Sequence, residues 1–164
     1  MERNSDLLAG AILRMERLRQ GMEQKAVCYG LCVPSYLCKI EQGTVHPNPD
    51  LLSALYQRLG IVYTQEESLL HPLKQMLQDY FTRLEYGLDI QETYETLQAQ
   101  ADTLRHSPLA LHWLLVQGYQ GEAVLPLLEQ LQAAMTDRQL ALYKLLRCRA
   151  DPMAPGALAL CQEA

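Results

Sequence analysis

Apolar residues recur three and four positions apart from the start of the chain. Leu8, Ile12, Met15 and Leu18 form such a stripe and predict an amphipathic helix over residues 5–20. A short second helix is expected to begin near Gln24, with Ala26 and Val27 facing inward and Gly30 stopping it. Leu31 and Val33 then make an apolar elbow, and Pro34 suits the first turn of a third helix because its missing N–H costs nothing there. On that helix Leu37 and Ile40 point inward, which leaves Ser35, Tyr36 and Lys39 outward or at the rim. Gly43 ends the helix, and Pro47-Asn48-Pro49 enforces an extended passage. Asn48 or Asp50 should start a fourth helix that buries Leu51, Leu52, Leu55 and Leu59 before Gly60.

Residues 60–64 are expected to act as a hinge between a unit at 1–63 and one at 64–164. Thr64-Gln65-Glu66-Glu67 has capping-box character and should open a long helix to about residue 86, with Pro72 near its start a place for a kink or a break. Its core side is expected to carry Leu69, Leu73, Met76, Leu77, Tyr80, Phe81 and Leu84. Helices are expected at 89–105, 108–119, 121–134, 137–149 and 154–163, divided by Ser107-Pro108, the Gly118 to Gly121 run, Thr136-Asp137 and Asp151-Pro152. Helices of this length with short connections point to an antiparallel array, so the expected fold class is all-α.

Composition agrees, since Leu, Ala, Gln and Glu dominate and β-branched residues are scarce. An apolar share of 49% is ample for a buried core. No stretch approaches the roughly 18 apolar residues of a membrane span, and the amino terminus leads into an amphipathic helix, so the chain is expected to be cytoplasmic with no membrane partner. Residues 1–63 carry seven Arg or Lys against six Asp or Glu, whereas 64–164 carry seven against thirteen. Any attraction to phosphate must therefore come from local groups such as Arg14, Arg17 and Arg19. Five cysteines form no CxxC pair and read as reduced thiols, and no metal or cofactor is expected. The four histidines are scattered and no nucleophile motif or glycine-rich phosphate loop occurs, so no catalysis is expected.

The spacing of Gln24, Gly30, Ser35-Tyr36-Leu37, Lys39-Ile40-Glu41 and Gly43, with Pro47 beyond, resembles the Xre/Cro-type helix-turn-helix. More narrowly, GLCVPSYLCKIEQG resembles the variant of Gram-positive regulators that place this domain ahead of tetratricopeptide-like helices, a group that includes peptide-pheromone receptors. The resemblance covers about the first 63 residues. It implies a transcriptional regulator that binds double-stranded DNA as a homodimer, with residues 34–42 as the recognition helix. Gln24, Pro34, Ser35, Tyr36, Lys39 and Gln42 would then meet DNA, Gln24 at a phosphate and Ser35 and Lys39 at base edges. It also implies a structural ion pair between Arg17 and Glu41. Where the family usually has Ser or Thr, this chain has Glu23 at the start of the second helix and Cys38 in the third. These departures and the weak net charge support an alternative, a protein-interaction module that has lost DNA binding.

The run from Gln117 to Ala123 resembles the corner of a tetratricopeptide repeat. In regulators of similar layout such arrays dimerise or hold a short peptide. Tyr80, Tyr86, Tyr94, Trp113, Tyr119 and Tyr143 are candidates to line such a peptide- or partner-binding face, against the plainer expectation that aromatics at helical spacing are core residues.

Overall fold

A computed structural model describes residues 2–150, and every regular element among them is helical. The chain is all-α in that sense. The helix expected at 154–163 lies outside the described residues. The elements are α1 (Glu2–Arg19), α2 (Gln24–Cys28), α3 (Pro34–Glu41), α4 (Pro49–Arg58), α5 (Glu67–Glu85), α6 (Gln91–Ala99), α7 (Ala101–Arg105), α8 (Ala110–Tyr119), α9 (Leu125–Gln130) and α10 (Asp137–Ala150), with a 3-10 turn at Gln132–Ala134.

Several expectations are corrected. The 89–105 segment is two helices broken at Gln100, and the 121–134 segment shrinks to α9 and the 3-10 turn. Pro72 does not split α5: the backbone bond it forfeits would have gone to the carbonyl of Ser68, an exposed residue of the first turn whose carbonyl water can satisfy. Leu69 is 53% exposed and Leu70 is buried instead, because the stripe that starts at Leu70 continues through Leu73, Leu77 and Phe81. Leu18 and Ala26 also face outward. The capping box lies at α10 rather than α5. Thr136 Oγ1 receives the Gln139 N–H at 3.4 Å, and Gln139 Oε1 receives the Thr136 N–H at 2.8 Å.

Two apolar cores form. One gathers Ile12, Leu13, Val27, Leu37, Ile40, Leu55 and Ile61. The other gathers residues of α5 to α10 around α8, in which Leu111, Trp113, Leu114, Leu115 and Val116 are all buried. A helix apolar on all sides belongs in an interior, and α8 packs on α1, α7, α9 and α10. The cores are not separate. Ala11 of α1 joins the second core, Ala110 of α8 joins the first, and Leu8 and Met15 pack on both.

The 60–64 segment is pinned rather than hinge-like. Ile61 is buried and donates to the Tyr56 carbonyl at 2.9 Å, and Thr64 donates to the His106 carbonyl at 3.0 Å. Beside it Glu16 of α1 is 4% exposed. Burial alone would raise its pKa, but hydrogen bonds from Arg19 and Gln20, the Arg19 charge and a contact with His106 outweigh it and hold the carboxyl down at about 2. Held below the usual 4.5, the carboxyl contributes stability that is present above pH 4.5 and lost as the pH falls toward 2. Urea unfolding followed from about pH 6 to pH 2 should show this loss in the native chain and a flatter profile in Glu16→Gln. Identical profiles would mean that the Glu16 cluster contributes no net stability.

Candidate nucleic-acid interface

The chain leaves α2 through a turn and enters α3 at Pro34. Val33 before it is extended (φ −85°, ψ 149°), as steric contact with the proline ring requires. α3 ends in a paired motif of backbone bonds, Gly43 N–H to the Ile40 carbonyl at 2.9 Å and Thr44 N–H to the Lys39 carbonyl at 3.0 Å. Gly43 takes φ +64°, and a Cβ there would lie 2.9 Å from Leu7 Cα, so both conformation and space call for glycine.

One face of α3 is sealed. Leu37 and Ile40 are buried with Val27 of α2 and Ile12 and Leu13 of α1. Ser35, Lys39 and Gln42 lie at i, i+4 and i+7 on the opposite face, and all three are exposed. Pro34 and Tyr36 are half-buried, and Tyr36 packs on the core. A hydroxyl, an ammonium and a carboxamide thus stand in a row on one exposed helix. Such groups can donate to or accept from base edges and phosphates, and an α-helix fits a major groove roughly 12 Å wide.

The helix is held from behind by an ion pair. Arg17 Nε and Nη2 reach the two Glu41 carboxylate oxygens at 2.6 and 2.8 Å, and Arg17 Nη1 donates to the Met22 carbonyl at 3.1 Å. The Arg17 and Glu41 side chains are 11% and 4% exposed. The hydrogen bond to Glu41 raises the Arg17 pKa further, against an opposing effect of burial. Gln24 joins this anchor. One of its amide N–H groups donates to Glu41 Oε2 at 2.9 Å, which ties the half-buried side chain to the ion pair and leaves one N–H for a phosphate. A buried carboxylate has about four acceptor positions, and Arg17 and Gln24 fill three of them.

Other charges near this face are mostly occupied. Arg58 donates to the carbonyls of Ala26, Val27 and Tyr29 and so closes the C-terminal end of α2. Arg14 bonds Gln130, and Arg19 bonds Glu16. Lys25 and Lys39 remain exposed without an ion pair among the described residues. Glu23 is the N-cap of α2 and makes no side-chain cap bond. Tyr29 at the end of α2 and Val33 at the start of α3 are 80% and 61% exposed. Cys28, Cys32 and Cys38 form no disulfide among the described residues. Burial and the neighbouring Cys28 sulfur push the Cys32 thiol up, which keeps it protonated.

The six aromatics of the second half do not form one face. Tyr80, Trp113 and Tyr143 are buried in the core, so they line no open surface. Their chemistry is internal: Gln120 donates to the Tyr80 hydroxyl at 3.0 Å, and the Trp113 ring stacks on Tyr94 at 6.3 Å. Tyr119 is half-buried, with its hydroxyl donating to the Leu142 carbonyl at 2.8 Å. Tyr86 alone of the six is widely exposed, at 76%.

Among the described residues no cluster of His, Cys, Asp and Glu is placed to hold a metal ion, and no helix is long and apolar enough to cross a membrane. No protein-family model, curated protein or solved structure matches the chain.

Proposed function

We propose that the chain is a sequence-specific DNA-binding transcriptional regulator whose residues 1–63 form an Xre-type helix-turn-helix domain. In this reading α3 enters the major groove of double-stranded DNA. The observation that carries it is the exposed polar row Ser35, Lys39 and Gln42 on a helix whose other face is locked by the core and by Arg17, Glu41 and Gln24. A rigid scaffold presenting a few polar side chains is what base readout needs. Lys39 donates to guanine, Ser35 sets the register, and Pro34 and Tyr36 lie at the rim where the helix meets the backbone. Residues 64–164, an antiparallel tetratricopeptide-like array, dimerise the protein or hold a peptide or protein partner, and the regulator acts in the cytoplasm as a homodimer on paired half-sites.

Selection from a random duplex library by the purified chain at near-physiological salt tests this. Enrichment of a two-fold symmetric site, with half-sites about 10 base pairs apart, is the expected result. Lys39→Ala should then lower discrimination between that site and its variants by roughly 1 to 3 kcal/mol while the fold is kept. Unchanged discrimination in a folded variant would remove α3 as the reading element.

A second reading rests on Glu23, Tyr29 and Val33. An exposed acid at the start of α2 repels phosphate, and two exposed apolar side chains at the ends of the turn between α2 and α3 suit a protein partner. Failure of the folded chain to enrich any duplex would favour this interaction module.

A further inference from the structure

The first turn of α10 stands away from the middle of α5, and between them and α8 lies a cavity of about 240 Å³. Leu77 and Phe81 of α5, Leu109 before α8 and Leu142 of α10 make its apolar walls. Lys74, Arg138, His112 and Gln139 also reach it, so an apolar hollow meets two cations, a buried amide and a half-buried imidazole.

The orientation of Gln139 is settled by α10 itself. Its Oε1 receives the Thr136 N–H at 2.8 Å and the Thr136 hydroxyl at 3.1 Å. Its NH₂ group therefore faces His112, both of whose ring nitrogens lie 3.1 Å from Gln139 Nε2. Burial and the charge of Arg138 push the His112 pKa down, so the ring is neutral and carries one N–H and one lone pair. Gln139 serves the lone pair. The other ring nitrogen carries the N–H, and His112 lines the cavity.

The cations are loosely held. Arg138 Nη2 is 3.7 Å from Glu85 Oε1, and Lys74 pairs with Glu67 at 2.9 Å, with every one of these side chains at least 42% exposed. Exposed pairs of this kind are worth less than about 1 kcal/mol and exchange readily for another carboxylate. The size of the hollow limits what else can enter. It lies below the roughly 300 to 1,000 Å³ of drug-sized sites and suits an apolar body of about six to eight carbons.

We propose that this cavity is a binding site for a small aliphatic monocarboxylate, its chain among Leu77, Phe81, Leu109 and Leu142 and its carboxylate received by Arg138 and the His112 ring N–H. The site is independent of the DNA-binding reading, because binding is measured without DNA.

Isothermal titration of the full chain at pH 7 with sodium octanoate, 1-octanol and octylamine tests it. Octanoate is expected to bind with one-to-one stoichiometry and to move the His112 imidazole nitrogen resonances. Octanol should bind at least about tenfold more weakly and octylamine not at all, because the head group faces donors and cations. Arg138→Gln, an exposed change that spares the core, should weaken octanoate about tenfold and leave octanol unaltered. Equal binding of octanoate and octanol, or an octanoate affinity unaffected in folded Arg138→Gln, would overturn the proposal. So would the absence of both heat and His112 resonance shifts at millimolar octanoate.

Discussion

Arg17→Ala is expected to destabilise the folded chain by about 3 to 5 kcal/mol, the usual consequence of removing one partner of a buried ion pair. The loss is not the worth of the pair itself. Taking away the guanidinium leaves Glu41, 4% exposed, with only the Gln24 amide at 2.9 Å to satisfy a full charge. The turn after α1 also loses the bond from Arg17 to the Met22 carbonyl. Urea unfolding at pH 7 measures the change, and a loss under about 1 kcal/mol would mean that water reaches Glu41 freely in the variant. The paired change Arg17→Met with Glu41→Leu is expected to lose much less than either single truncation, because no charge is then stranded. That double variant separates two roles, since it keeps Ser35 and Lys39 while removing the electrostatic anchor behind them.

Gly10→Ala is the second large effect. In an ordinary helix this exchange gains about 1 kcal/mol of helix propensity. Here α1 crosses α3 so closely that a Cβ on residue 10 would penetrate the Ile40 carbonyl oxygen and stand 2.9 Å from its carbon and 3.3 Å from Glu41 Cα. Both neighbours are backbone, so no side-chain rotation relieves the clash. α3 must be pushed off α1, which strains the Arg17 to Glu41 contact and opens the packing of Ile12, Leu13 and Ile40. A net destabilisation of about 3 kcal/mol or more is expected, at the upper end for overpacked sites. Thermal unfolding measures it. A variant as stable as the parent would show that the two helices can separate without loss.

Much of the first half is readable from local chemistry. The starts of α2, α3 and α4 follow from Gln24, Pro34 and Asn48, whose effects act within a turn of their own positions. Asn48 Oδ1 does cap α4, accepting from the Asp50 N–H at 2.9 Å. What is not readable depends on residues far away in sequence. Gly10 looks like a weak point in a helix until the Ile40 carbonyl, thirty residues on, is placed against it. Gln24 looks like a free polar group until Glu41 draws it in. Tyr80, Trp113 and Tyr143 carry the same helical spacing whether they face a groove or a core, and only the packing of α5, α8 and α10 decides. His112 is a lone histidine in sequence, and its setting appears only when the first turn of α10 brings Gln139 beside it.

The placement of α1 reaches further than the anchoring of α3. Because Ala11 belongs to the second core, Ile12 and Leu13 belong to the first, and Leu8 and Met15 pack on both, opening either half uncovers side chains that also cover the other. In amide hydrogen exchange the slowest protons of α3 and of α8 should then report one common opening free energy. A residue lost from the inner face of α1 should accelerate both sets together.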